Sequence, residues 1–388
     1  MGSSFVAARK CGKVRRVRWV GLIAVAVLSS CAKAPPPRTV VEAPKRVDPQ
    51  EAVKALVEEV YEALQAGEAD TFERLFMADA MVFGLGPSDT WNFRDTLIER
   101  ARQELLPLGL GGDTLAIASS RTEVGLGDGE TSAWFYDLPK VTVTHKGEDS
   151  TWLPRITGHA LKDGNRWRID ALHVSLAVSD SLLSKPDANR LLLPPAPVAD
   201  ERGADTEQLV GLTRRMVEDM GVKVEHASER PGFVLVGTSP VELFEGGATF
   251  KALVRPQLGA IKKGGYTWKL EGPIRVRLAP DHRTGWAAGV LVLRIGSGKK
   301  AQVLPPFRAL WVFAEEGGVW NMVSEHQSLA VKEDLREPAD AEQIKAWQAM
   351  RDVAAKRVKA YGKKGDGNKE DGKKRDGQKD DGAAIDAW

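Results

Sequence analysis

The stretch NRWRIDALHVSLAV, residues 165–178, returns as GVWNMVSEHQSLAV at residues 318–331. Trp167 falls on Trp320, His173 on His326 and Ser175 on Ser328, always at an offset of 153 residues. The same offset lays VFGLGPSDTW (82–91) over LVGTSPVELF (235–244) without gaps, pairing Gly84 with Gly237, Pro87 with Pro240 and Asp89 with Glu242. Two segments aligned under one shift of domain size read as one domain present twice.

Length and composition agree with that division. A chain of 388 residues, 43% hydrophobic and 28% charged, can bury two cores of ordinary size. The formal charge of +2 is unevenly spread. Arg9, Lys10, Lys13, Arg15, Arg16 and Arg18 precede a short apolar run, Val20 to Leu28, which is the layout of a secretory signal and too short to span a membrane as a helix. Leu28-Ser29-Ser30-Cys31 looks like a bacterial lipobox, so residues 1–31 are expected to be a lipoprotein signal with Cys31 acylated. Residues 32–49, rich in proline, then read as a tether. Without the signal, 49 Lys+Arg face 53 Asp+Glu, and a weakly acidic protein has no electrostatic reason to bind nucleic acid. With Cys11 removed and Cys31 lipidated, neither of the 2 cysteines remains for a disulfide or a thiolate metal site. Ala32, rather than aspartate, follows Cys31, which favours the outer membrane of the cell envelope over the inner.

The mature chain alternates helix and strand signals in the same order twice. QEAVKALVEEVYEAL (50–64) places Val53, Leu56, Val57, Val60 and Leu64 on one helical face, and Phe72, Leu75 and Phe76 follow in a short second helix. From about Met81 the pattern turns to short strands, ending in residues 166–178. ADTEQLVGLTRRMVEDM (204–220) begins the second block with Leu209, Leu212, Met216 and Met220 as its buried stripe, and strands follow to residue 331. Helices first and antiparallel strands afterwards predict an α+β class: two tandem cone-shaped domains, each a curved antiparallel sheet packed on N-terminal helices. The boundaries are 50–185 and 204–336, with a proline-rich linker at 186–203. An amphipathic helix is expected over 337–361, packed on the second domain. Residues 362–388, with seven basic and seven acidic side chains and no apolar run, read as a disordered tail.

A helical hairpin, a segment such as GTSPVELFEGGATF (237–250), and a last strand of the form Trp-x-[Ile/Met]-x-x-x-His-x-Ser together resemble the SnoaL-like domains of the nuclear-transport-factor-2-like superfamily. The resemblance covers roughly residues 50–182 and 204–336. It implies a bent sheet wrapped over helices with a pocket at the open end, and it implies no particular activity.

Strict alternation along the last strand puts Trp167, Ile169, Ala171, His173 and Ser175 on one face, and Trp320, Met322, Ser324, His326 and Ser328 on the corresponding one. Because that face is kept in both copies, it is expected to be concave and to line the pocket. His173 and His326 are then either pocket bases or donors, or buried histidines satisfied by the serine two residues on or by a carbonyl. The two tryptophans read as core. The candidate pocket comprises His173, Ser175, Trp91, Asp89, Tyr136, His326, Ser328 and Phe244, with His173 the best catalytic candidate. The match of Asp89 with Glu242 also suits a turn or cap.

RIGSGKKA (294–301) lacks the spacing and the Ser or Thr of a phosphate loop, and LGLGGDT (108–114) lacks the third glycine of a dinucleotide fingerprint. No cofactor or metal is implied. The sequence therefore reads as a membrane-anchored envelope lipoprotein, tethered through lipid on Cys31, whose duplicated domains bind a small apolar ligand or an envelope protein without catalysis. One alternative is a pocket enzyme of isomerase or hydrolase type in the first domain, using His173 with a carboxylate. Another is a structural pseudo-dimer.

Overall fold

The first helix shows how local sequence sets the architecture. Asp48 Oδ1 accepts from the Gln50 amide at 2.8 Å, Pro49 occupies the first turn, and Gly67 ends the helix at φ 71°, the left-handed region that favours glycine. Between these signals α1 (Pro49–Ala66) buries Val53, Leu56, Val57, Val60, Tyr61 and Ala63. A computed structural model describes residues 47–178, 203–240, 242–298, 301–331 and 336–349. The expected signal, Cys31 and nearly all of the tether, the linker up to residue 202, and the chain beyond 349 lie outside the described residues.

After α1 come α2 (Phe72–Leu75), β1 (Phe76–Phe83), β2 (Thr90–Trp91) and α3 (Arg94–Gly111). Strands β3 (Thr114–Ala118), β4 (Glu123–Leu126), β5 (Ser132–Asp137), β6 (Lys140–His145), β7 (Glu148–Trp152), β8 (Pro154–Asp163) and β9 (Arg166–Leu176) complete the first half. The second half contains α4 (Ala204–Glu218), α5 (Met220–Glu225), β10 (Val234–Val236), β11 (Leu243–Glu245), α6 (Gly247–Val254) and α7 (Leu258–Lys263). It ends in β12 (Thr267–Leu278), β13 (Thr284–Ile295), β14 (Gln302–Val303), β15 (Phe307–Glu316) and β16 (Val319–Leu329), followed by helix α8 over residues 341–349. The main sheets have the orders β2-β1-β9-β8-β5-β4 and β11-β10-β16-β15-β13-β12, which correspond strand for strand. A separate sheet, β3-β6-β7, belongs to the first half. The fold is α+β as expected, with one departure from all-antiparallel pairing: β1 runs parallel to β9, and β10 parallel to β16.

Each main sheet covers its helices on one side, and the two sheets meet on the other. Phe83, Trp134 and Ala171 from the first pack with Trp286, Leu310, Val312 and Val323 from the second. The closing strands β9 and β16 carry the polar centre of this contact. His173 Nε2 lies 2.7 Å from Ser328 Oγ, and Ser175 Oγ lies 2.7 Å from His326 Nε2. The two imidazoles stack with ring centroids 3.9 Å apart.

Other contacts repeat under the offset. Val178 N donates to Thr238 O at 3.0 Å, and Val331 N donates to Leu85 O at 3.1 Å. Buried Arg155 reaches the carbonyls of Thr238 and Ser239, while buried Arg308 reaches those of Gly84, Gly86 and Asp89. Burial pulls both guanidiniums down to about 10, which leaves them charged at neutral pH. The matched glycines have a steric reason: a Cβ on Gly84 would lie 2.8 Å from the Trp91 ring, and one on Gly237 2.3 Å from the Glu242 carboxylate.

A bulge in each closing strand corrects the expected faces. Pairing of β8 with β9 runs His159 with Ala171 but Ala160 with Ile169, so Asp170 is an extra residue. Pairing of β15 with β16 runs Val312 with Ser324 but Phe313 with Met322, so Val323 is extra. One inserted residue reverses the side to which everything beyond it points. Trp167 and Ile169 stay in the first core, Trp320 and Met322 in the second, while the histidines and serines turn to the opposite side. The Nε2 atom of each histidine is bonded, but by the serine of the other half rather than by the one two residues on.

Burial, reinforced by Arg155 and Arg308, holds both imidazoles well below the usual histidine range. The unfolded chain protonates them near pH 6.5 and the folded chain does not, so their stabilising contribution is present above that pH and is lost as pH falls through the depressed folded values. Unfolding free energies from urea denaturation between about pH 8 and about pH 5 are expected to fall, by about 1.4 kcal/mol per pH unit per imidazole below pH ~6.5. His326→Gln should flatten that slope, and an unaltered slope would place the acid sensitivity elsewhere.

Candidate functional site

Beyond the bulge in β9, the side chains facing the helices are Leu172, Val174 and Leu176. They form one wall of a cavity of about 1090 Å³, at the large end of the range for small-molecule sites. Val57, Val60 and Leu64 of α1 face it from the helix side. Leu115, Ile117, Val141, Val143 and Trp152 of the β3-β6-β7 sheet close a further side. The charged lining is confined to a few side chains: Asp89, Arg100, Glu104 and Arg336. Arg100 Nη2 pairs with Glu104 at 2.7 Å.

Tyr61 is the polar group on the helix wall, and its hydroxyl donates to Asp137 Oδ2 at 2.9 Å. Asp137 Oδ1 accepts from the Leu138 amide at 2.7 Å and the Arg121 amide at 3.2 Å. Burial raises the Asp137 carboxyl, and burial together with Asp137 raises the Tyr61 phenol well above its ordinary value. The pair is fully bonded within the wall.

The second half treats the same positions differently. Leu172 corresponds to Glu325 and Val174 to Gln327 at the offset of 153. Glu325 is fully buried, and its Oε1 accepts from Lys223 Nζ at 2.8 Å, Trp311 Nε1 at 3.0 Å and Gln327 Nε2. Phe250, Phe307, Trp311 and Phe313 pack into the same core. A buried ion pair and aromatic side chains stand where the first half has apolar wall.

Of the candidate pocket residues, Asp89 alone lines the cavity. Its Oδ2 accepts from the Gly86 amide at 2.6 Å, and the corresponding Glu242 Oε2 accepts from the Ser239 amide at 2.9 Å, so both acids close turns. His173, Ser175, His326 and Ser328 meet between the sheets. Tyr136 donates to Glu245 across the same contact, Trp91 packs at the edge of the first core, and Phe244 packs edge-on against Phe250. What alternation missed was Leu172, Val174 and Leu176; the polar Glu325 and Gln327 at the positions of Leu172 and Val174 in the second half were the available signal, while Leu176 is matched by Leu329.

The C-terminal segment also lands elsewhere than expected. Ala339 N donates to Thr151 O at 2.7 Å and Trp347 Nε1 to Leu138 O at 2.7 Å, while Lys140 Nζ sits 5.6 Å from the Trp347 ring. Helix α8 thus docks on the first half, where buried Trp347 finds an acceptor for its indole N–H. Arg336 and Pro338, just before it, line the cavity.

Residues 53–179 match the model of the SnoaL-like domain family. No curated protein matches the chain. Among solved structures, one described as a putative scytalone dehydratase from Novosphingobium aromaticivorans DSM 12444 is 15% identical, with 33% of this chain and 83% of that chain covered and a TM-score of 0.29. A putative calcium/calmodulin-dependent protein kinase II association domain from Xanthomonas campestris is 22% identical, covering 34% and 90%, with a TM-score of 0.29. A putative dehydratase of the NTF2-like family from Streptomyces avermitilis is 13% identical, covering 33% and 96%, again at 0.29. Similarity this low carries no activity over to this chain.

If the Lys223–Glu325 pair only fills the second core, removing one partner should strand a buried charge. Lys223→Met is expected to destabilise by about 3–5 kcal/mol, and adding Glu325→Leu should recover most of that loss. Chemical denaturation of the single and double variants checks this; a double variant no more stable than the single would assign the pair another role.

Proposed function

We propose that the chain is a binding protein whose first domain takes a small apolar ligand into its cavity without catalysis, and whose second domain is a diverged copy serving as a built-in partner. The observation that carries this reading is the contrast at equivalent positions: Leu172 and Val174 face open space in the first domain, whereas Glu325 and Gln327 take part in a closed polar cluster in the second. An apolar cavity favours ligands that bring apolar surface out of water. His173 supports no pocket chemistry from its place between the sheets, fully buried against Ser328. The contacts repeated at the 153-residue offset support duplication, with the second domain supplying what a second subunit would supply in a homodimer.

An uncharged apolar probe such as N-phenyl-1-naphthylamine should bind with enhanced fluorescence at one equivalent per chain. Val174→Phe, which fills the cavity, should abolish the enhancement without lowering the thermal midpoint by more than a few degrees. Enhancement that persists in a folded Val174→Phe protein would place the binding outside this cavity.

The lipobox reading adds the place of action: lipid on Cys31 anchors the domains to the cell envelope, with the outer membrane favoured. Substituting Cys31→Ser should move the protein from the membrane fraction to the soluble fraction and remove incorporation of labelled fatty acid. Retention on membranes with no label incorporated would rule out a lipid anchor.

A further inference from the structure

The charged residues of the cavity lining are not equivalent. Arg100 is held by Glu104, and Asp89 closes its own turn. Arg336 is different: its Nε donates to Val331 O at 3.0 Å, which fixes the stem, but Nη1 and Nη2 make no hydrogen bond among the described residues. The nearest carboxylate oxygen, Asp89 Oδ2, lies 4.0 Å from Nη2, at the limit of an ion pair. The side chain is 19% exposed, and its guanidinium lies so close to Gly86 that a Cβ there would be 2.9 Å from Nη2. Among the described residues, Arg336 is therefore the cation with hydrogen-bond donors to spare on the wall of a mainly apolar cavity.

Its position is anchored from both sides. Val331 N is tied to Leu85 O, and Ala339 N to Thr151 O, so the chain on either side of Arg336 is bound to the first domain although it follows the second. Trp347 pins helix α8 further along.

We propose that Arg336 makes the cavity selective for a single-chain amphiphile with a carboxylate head, the alkyl chain lying against Leu172 and Val174 and the carboxylate on the free edge of the guanidinium. The planar pair of terminal nitrogens matches two carboxylate oxygens, and a hydrogen bond between charged partners is stronger than one to a neutral head. Asp89, 4.0 Å away, weighs against a doubly charged head such as a phosphate monoester. This inference rests on the proposal that the first-domain cavity binds apolar ligands.

Isothermal titration of the full chain with decanoate and with decan-1-ol tests it. The wild-type chain should bind decanoate more tightly than the alcohol. Arg336→Gln should weaken decanoate about tenfold or more while leaving decan-1-ol within about twofold. Arg336→Lys, which keeps the charge and the stem, should retain a preference for decanoate and guards against misreading an unfolded variant. If Arg336→Gln weakens both ligands equally, or neither, the head is not read by Arg336 and this inference falls while the binding proposal stands. If neither ligand binds the wild-type chain while N-phenyl-1-naphthylamine does, this inference falls alone; if the probe fails to bind as well, this inference and the apolar-ligand reading fall together.

Discussion

The crossed contact in which each closing strand offers its histidine to the serine of the other is the constraint on which the rest of the molecule depends. Two fully buried imidazoles stacked at 3.9 Å call for neutral rings with each Nε2 bonded. The serine hydroxyls provide that satisfaction only when both strands sit in one register. With the strands so placed, Val178 and Val331 leave them directly over the other half's loops, and Arg155 and Arg308 hold the carbonyls of those loops. The loop from Gly84 to Asp89 is thereby fixed, and Leu85, Gly86, Pro87, Ser88 and Asp89 all line the cavity. A contact between sheets thus shapes part of the lining of a site on the far side of one of them.

The contact is not perfectly symmetrical. Thr157 Oγ1 lies 3.0 Å from His326 Nδ1, whereas the corresponding position, Leu310, carries no hydroxyl and His173 Nδ1 has no hydrogen-bond partner among the described residues. A neutral imidazole tolerates one bare lone pair more readily than an imidazolium tolerates an unsatisfied N–H, which agrees with burial keeping these rings deprotonated. The interface also takes in Asp170, which accepts from Trp286 Nε1 at 2.6 Å and pairs with Arg277 at 2.8 Å. The bulge residue is used to bond across the interface, rather than being left as an irregularity.

The two halves divide their roles by where they vary. At the centre of the contact between the halves His, Ser and Arg recur at the 153-residue offset, where each bonds the other half, although Thr157 and Asp170 correspond to Leu310 and Val323 at that offset. Positions facing the helices are free of that demand. There Leu172 and Val174 leave a cavity, while Glu325 and Gln327 join Lys223 and Trp311 in a closed cluster.

The leading helices, the closing strands, the buried stripe of α1 and the turns at Asp89 and Glu242 are legible in the amino-acid sequence because they depend on residues within a few positions of one another; α3 (Arg94–Gly111), α6 and α7 were not, since they lie in stretches read as strands. Alternation, capping and turn chemistry are local physics. The side of the sheet on which His173 lies was not legible. It depends on one extra residue, Asp170, whose insertion is defined by pairing with β8, and nothing in RWRIDALHVSL distinguishes a bulged strand from a regular one. The site has the same origin: Asp89 and Arg336 meet at 4.0 Å from opposite ends of the folded chain, and helix α8 docks on the half it does not follow. Local sequence therefore accounts for most of the elements and for the matched phrases of the two halves. Tertiary pairing alone decided which face became interface, which became cavity, and which distant cation lines it, since each follows from register and long-range packing rather than from local preference.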